Sequence, residues 1–398
     1  MRPPPTPAGP SDIEAMTVVS DASLAFVATP PVVVGQDTVQ LLRDGVTAHA
    51  AMLDAIHDAR REILLEMYWI GHDHVGRAFL EALVERARAG VKVCVIYDAV
   101  GSFGLPGSFW APLLAAGGTV RRFSPISPWR RRFRFARVHL RDHRKNLIVD
   151  EERGFAGGIN LGAEWAPLQG EPWRDDAIEV RGPATRTLRV AFYRVWTDIG
   201  EEAPPGATDL APRENDARVH VLTNEITAHP NRAIRRTYLF GIHRSRTSIC
   251  VASAYFLPGP LFLFALRRAA KRGVRVRILV PETPDVHIVK LAMSSLLGRL
   301  LEDGVEVYAY SGRMLHAKTA VFDDEIAMVG SHNLDALSWR FNLECNVIVQ
   351  DATFATQVRN SFDADCVSAR RMTFEDWQHR SLWIRIGAWF VALFRPFL

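Results

Sequence analysis

The stretches "RDHRKNLIVDEERGFAGGIN" (141–160) and "LHAKTAVFDDEIAMVGSHN" (315–333) decide how this 398-residue chain is read. Each holds a histidine (His143, His316), a lysine two residues on (Lys145, Lys318) and an aspartate five residues further (Asp150, Asp323). After six more residues each has Gly157-Gly158 or Gly330-Ser331, one spacer, and an asparagine (Asn160, Asn333). One such pattern is within the reach of chance. Two with the same tail indicate a duplicated chain.

The flanking segments repeat in the same order. "AIHDARREILLEMYWI" (55–70) answers to "GIHRSRTSICVASAYFL" (241–257), a helix end followed by an apolar run rich in strand formers. "FLEALVERARAGVKVCVIYD" (79–98) answers to "LFALRRAAKRGVRVRILVPE" (263–282), an amphipathic helix, a glycine at its C-terminus (Gly90, Gly273) and a buried strand. "LLAAGGTVRRFSP" (113–125) and "LLEDGVEVYAYS" (300–311) form a third helix–Gly–strand pair. Each half is therefore a βαβαβ series, which predicts parallel or mixed sheets with helices on both faces. The Pro-rich "EEAPPGATDLAPREND" (201–216) serves as the linker.

Residues i and i+2 of a strand share a face, so each histidine should project beside its lysine. An imidazole next to an ammonium suits a phosphoryl anion. The lysine neutralises phosphoryl oxygens while the histidine attacks phosphorus or moves a proton. Asp150 and Asp323 lie at the opposite parity, at the polar ends of "LIVDEE" and "AVFDDE", where they are expected to hold loops and balance local charge. Gly158 and Ser331 sit in pairs that let the backbone pass close to a ligand, and Asn160 and Asn333 can donate to a phosphate oxygen. Each histidine also needs a carboxylate at its other ring nitrogen to set the tautomer. Aligning "AIEVRG" (177–182) with "NVIVQD" (346–351) matches Asp175 with Glu344, and these two are assigned that role.

Composition narrows the classes. With 48% hydrophobic and 23% charged residues the chain is globular, long enough for two domains each with its own core. A net charge of +4 excludes a polycation. The charge is local: "RRFSPISPWRRRFRFARVHLRDHRK" (121–145) holds nine arginines and one lysine with Asp142 as its only acid. This run leads into His143 and suits an anion-attracting rim. The four widely spaced cysteines have no Cys-x-x-Cys and read as thiols in a reducing compartment. His72 and His74 in "HDH" read as surface or loop histidines, not metal ligands. The Pro-rich start has no apolar signal-peptide core, and no uncharged apolar stretch reaches the length of a spanning helix.

The paired His-x-Lys-x4-Asp motif with its Gly/Asn tail resembles the phospholipase D superfamily, and within it the shorter bacterial cardiolipin synthases. The likeness runs along almost the whole chain, through "EMYWI" (66–70), "YDAVGS" (97–102), "AYFLP" (254–258) and "SWRFNLECN" (338–346). One departure is Glu151, where the family usually has glycine. The resemblance implies an α/β fold of two tandem phospholipase D-like βαβαβ domains related by a pseudo-twofold duplication. The expected divisions are an N-terminal extension, partly disordered (1–34), a first domain (35–200), the linker, a second domain (217–370) and an amphipathic tail (371–398). It further implies transfer of a phosphatidyl group between two phosphatidylglycerol molecules through a phosphohistidine, with no metal and no cofactor. His143 is the expected nucleophile and His316 the acid and base. The orienting pairs are expected to cross between halves, Glu344 with His143 and Asp175 with His316.

The tail "LWIRIGAWFVALFRPFL" (382–398) would reach about 25 Å as a helix at ~1.5 Å per residue, short of a ~30 Å hydrocarbon core. Its Trp, Phe and Arg residues suit a membrane-associating helix in the headgroup region. The expected setting is the cytoplasmic side of a bacterial inner membrane, as a peripheral protein on an anionic phospholipid surface. Hydrolysis to phosphatidic acid by the same core is an alternative. A nuclease could use Trp129, Phe133 and Phe135 for base stacking, but gains nothing from the apolar tail, so nucleic acid is not favoured. A non-catalytic scaffold would have no use for two intact motifs.

Overall fold

The duplicated apolar runs form two eight-stranded sheets. The computed structural model describes residues 29–125, 140–209, 217–224 and 233–380. Most of the extension, most of the basic run, the end of the linker and the tail from residue 381 lie outside the described residues. The first sheet contains β1 (Val32–Val34), β2 (Asp37–Leu42), β3 (Glu62–Met67), β4 (Lys92–Asp98), β5 (Thr119–Phe123), β6 (Lys145–Val149), β7 (Arg153–Gly157) and β8 (Ala177–Arg181). Their spatial order is β1-β2-β8-β7-β6-β3-β4-β5. The second contains β9 (Val219–Thr223), β10 (Ser248–Ser253), β11 (Arg275–Pro281), β12 (Glu306–Tyr310), β13 (Lys318–Phe322), β14 (Ile326–Gly330), β15 (Cys345–Gln350) and β16 (Ala369–Met372). Its order, β16-β12-β11-β10-β13-β14-β15-β9, read backwards repeats the first, with β1 and β16 as unmatched edges.

Both sheets are mixed. β3–β4–β5 and β10–β11–β12 pair in parallel, as helix–Gly–strand units require. The motif strands β6 and β13 run antiparallel to their neighbours on both sides. Every residue of β6 and β13 is buried, including the polar Asn146 and Thr319 that follow the lysines, and the three residues after those are apolar in both strands. Aspartates cap the helices between strands: Asp44 accepts from Thr47 N–H (2.7 Å), Asp73 from Gly76 N–H (3.0 Å) and Asp351 from Phe354 N–H (2.9 Å).

Each half has a core of its own, and the two halves share a further one. Two clusters belong to one half each, but a third joins Leu64, Ile148 and Val180 of the first sheet to Val321, Val329 and Val347 of the second. Sheets buried on both faces must cover their inner faces, and here each covers the other's. The outer limits also differ from the expected divisions. β1 begins at Val32, inside the segment taken as an extension. At the other end Thr373 closes a capping box on helix Phe374–Gln378, and Trp377 Nε1–H donates to Ser294 O (2.8 Å). Among the described residues, no helix is long and apolar enough to cross a membrane.

Candidate active site

The site forms where the leading ends of β6 and β13 meet across the two halves. Asp142 bridges to Leu343 and Leu315 to Arg174 in short parallel contacts. His143 N–H donates to Leu343 O (3.0 Å), and His316 N–H donates to Arg174 O (2.7 Å). The residues after Leu343 and Arg174 are Glu344 and Asp175. Backbone pairing across the halves thus delivers each carboxylate to the opposite histidine.

His143 Nδ1 lies 3.1 Å from both Glu344 carboxylate oxygens, and His316 Nδ1 lies 2.6 Å from Asp175 Oδ2. With Nδ1–H held by a carboxylate, Nε2 carries the lone pair that can face a ligand. Each carboxylate is itself held. Trp165 Nε1–H donates to Asp175 Oδ2 (2.8 Å) and Asp176 N–H to Asp175 Oδ1 (2.8 Å). The Ser331 hydroxyl donates to Glu344. Lys145 Nζ donates to His143 O (2.6 Å) and sits 4.9 Å from the centre of the Tyr68 ring. Lys318 Nζ donates to His316 O and lies 2.9 Å from His316 Nδ1.

Burial sets the charges. It pushes His143 down to about 4, helped by Lys145 and opposed by Glu344. His316 is lowered in the same way, by burial and then by Lys318. Burial also brings Lys145 down to about 7 and lowers Lys318. Burial alone would raise both orienting carboxylates. The hydrogen-bonded imidazoles and the lysines beside them win, holding Glu344 at about 2 and Asp175 below its ordinary value. The resting site therefore has two neutral imidazoles, two carboxylates and two lysines with weakened protons. An anionic ligand would raise the proton affinity of every base around it.

The remaining motif residues occupy three kinds of place. Asp150 sits at the far end of β6, accepting from the N–H groups of Arg60, Arg61 and Glu62 (2.7–2.8 Å). Asp323 does the same with Arg246, Thr247 and Ser248 (2.8–3.0 Å). These two are not brought to the imidazoles. Gly158 and Ser331 lie directly behind the orienting carboxylates: a Cβ on Gly158 would come 2.1 Å from Asp175 Oδ1. Asn160 and Asn333 are buried; Asn160 Oδ1 accepts from Trp69 N–H (3.1 Å), and Asn333 Oδ1 has no hydrogen-bond partner among the described residues. Elsewhere, His74 Nε2 bonds to Ala166 O (2.8 Å), and exposed His72 packs its ring edge-on to Phe109.

A family model described as "Cardiolipin synthase, PLD-like domain" matches residues 239–366. Cardiolipin synthase A of Pseudomonas entomophila strain L48 is 34% identical over 97% of this chain and 81% of its own length. Major cardiolipin synthase ClsA of Bacillus subtilis strain 168 is 34% identical over 91% of this chain and 76% of its own. The chain belongs to the phospholipase D superfamily. Phosphatidylserine synthase of Haemophilus influenzae Rd KW20, at 13% identity, shares the fold with a TM-score of 0.74 over 93% of this chain and 97% of that one. Phospholipase D superfamily membership makes the site one for phosphoryl transfer or hydrolysis. Within this member, the motifs alone did not single out Trp165, Trp173 or Tyr68 as neighbours of the imidazoles. Tyr68 packs edge-on to His143 at 4.8 Å, and both tryptophans pack on His316. The available signal was position: Trp173 is two residues before Asp175, and Trp165 five after Asn160.

Proposed function

We propose that the protein is a cardiolipin synthase, joining two phosphatidylglycerol molecules into cardiolipin and glycerol. The observation that carries this is the crossed pair of imidazole–carboxylate couples with a buried lysine beside each. In the first step, with the bound phosphodiester anion having drawn a proton onto His316, His143 Nε2 attacks phosphorus, the P–O bond to the headgroup glycerol breaks, and His316 gives that oxygen its proton. In the second, His316 takes the proton of a hydroxyl on another phosphatidylglycerol. The hydroxyl oxygen attacks phosphorus, and the P–N bond returns its electrons to His143. Lys145 and Lys318 supply the positive charge for the phosphoryl oxygens, so no metal is needed in this scheme. Asn160 and Asn333 are further candidates for contact with those oxygens.

The substrate is a membrane lipid, which suits a peripheral protein on the cytoplasmic side of a bacterial inner membrane, with the tail as its contact. The test is purified full-length protein with phosphatidylglycerol in mixed micelles, with and without EDTA. Cardiolipin and glycerol in equal amounts, unaffected by chelation, are expected. Phosphatidic acid as the sole product would make the enzyme a hydrolase, and loss of activity on chelation would overturn the metal-free scheme.

A further inference from the structure

The pseudo-twofold breaks at the walls of the two histidines. Trp165 and Trp173 flank His316 with ring centroids 5.3 and 5.7 Å away. Trp69 completes the cluster, 5.1 Å from Trp165 and 6.5 Å from Trp173. Met67 pairs with Lys145 and Ser253 with Lys318, so the counterpart of Trp69 is Tyr255 and that of Tyr68 is Ala254. The Gly/Asn tails set Ser338 opposite Trp165, and the orienting carboxylates set Asn342 opposite Trp173. Three indoles stand on one side where a phenol, a hydroxyl and an amide stand on the other.

The wall is firmly built. The Trp165 indole N–H is committed to Asp175. Trp69 N–H donates to Asn160 Oδ1 (3.1 Å), and Trp173 N–H donates to Glu164 O (2.7 Å). Trp165 is buried, while Trp69 and Trp173 keep part of their surface open. On the other side Asn342 reaches toward Glu344 (3.5 Å), and Tyr255 OH donates to Asp285 (2.8 Å).

We propose that the Trp69–Trp165–Trp173 wall selects the acceptor in the second step, favouring a lipid-borne hydroxyl over water; this rests on the transfer reading above. Both acceptors need the same chemistry: oxygen attacks phosphorus, the P–N bond to His143 breaks, and the acceptor proton passes to His316. They differ in what surrounds that oxygen. Water beside His316 meets indole faces that offer few hydrogen bonds, and loses partners it has in bulk. A lipid hydroxyl arrives on glycerol carbons that gain apolar contact there.

The test is the product partition of the full chain on phosphatidylglycerol micelles in ¹⁸O-water, where hydrolysis places one ¹⁸O in the phosphate of phosphatidic acid. Trp173→Ala should raise the ratio of labelled phosphatidic acid to cardiolipin by about tenfold or more, the scale of discrimination carried by modest apolar contacts. Trp173→Phe should stay near the parent ratio. If Trp173→Ala does not fold, Trp69→Ala at the outer edge of the wall reads the same ratio. An unchanged ratio in these alanine variants, whatever their rates, overturns the selecting role. A parent protein that makes no cardiolipin overturns the transfer reading and the selecting role with it, and the parent sample alone shows that outcome.

Discussion

A methyl group on Gly158 would sit 2.1 Å from Asp175 Oδ1, inside contact distance of the carboxylate that holds His316. Gly158→Ala should therefore act on chemistry more than on folding. Loss of a correctly held imidazole in a comparable triad lowers kcat by about 10⁴-fold, so a fall of roughly 10²–10⁴-fold is expected in steady-state assays. Replacing His143 or His316 with alanine should abolish turnover. Only His316→Ala should still trap a phosphatidyl adduct from an activated substrate, if His143 is the nucleophile. The pH profile follows from the same burial. As pH falls through about 4, His143 gains a proton and can no longer attack. As pH rises, His316 first loses the proton it must give to the leaving oxygen, and through about 7 Lys145 loses the charge that meets the phosphoryl group. kcat/KM should therefore be bell-shaped between these limits. The alkaline limb of kcat should lie higher, because a bound phosphodiester anion stabilises the ammonium. Coincident alkaline limbs would remove Lys145 from the role.

At the scale of elements, the two motif aspartates shape hairpins. Asp150 and Glu151 have φ of 55° and 60°, and Asp323 and Asp324 of 53° and 54°, all in the left-handed region. Glycine is favoured there, so Glu151 needs outside support. Thr185 Oγ1 donates to Glu151 O (2.6 Å), and Arg189 lies 3.5 Å from its carboxylate. Asp150→Ala removes the acceptor for three N–H groups and should lower stability by about 1–3 kcal/mol in a denaturant titration. The protein that remains folded should keep most of its activity, since Asp150 touches neither imidazole pair. The helix–Gly–strand units were legible in sequence because their signals are local. Gly90, Gly273 and Gly304 end their helices at φ of 89°, 90° and 83°. The edge strands β1 and β16 were not, since only pairing with β2 and β12 defines them.

Over the whole molecule, Arg174 ties the halves together behind the site. Its guanidinium bonds Asp365 on helix Ala352–Val367 (2.8–3.0 Å) and Asp176 (2.8 Å), and its carbonyl accepts from His316 N–H. Asp365→Ala leaves a buried cation half-paired, a change that typically costs about 3–5 kcal/mol. Because Asp176 remains, the expected loss is near the lower end, with activity falling in parallel as Asp175 loses its anchor. Chemical denaturation and turnover measured on the same samples check this. Ending the chain at Arg380 keeps its stacking on Trp377 (4.1 Å) and its bond to Ser294 O (2.7 Å). If the tail is the membrane contact, this truncation should move the protein to the soluble fraction and lower activity on vesicles far more than on micelles.

The sequence by itself determined the duplication, the strand–helix succession, the six motif residues and the matching of Asp175 with Glu344. All of these are written in spacing, and spacing along a strand translates directly into sides and ends. Only the tertiary structure decided the sharing of the core, because the inner face of one sheet has no partner in its own half. The same holds for Gly158, whose reason is a carboxylate seventeen residues away, and for the indole wall, gathered from the end of β3 and the connection between β7 and β8. Residues distant in sequence leave no periodic trace of meeting, and their contacts exist only once two sheets are packed face to face.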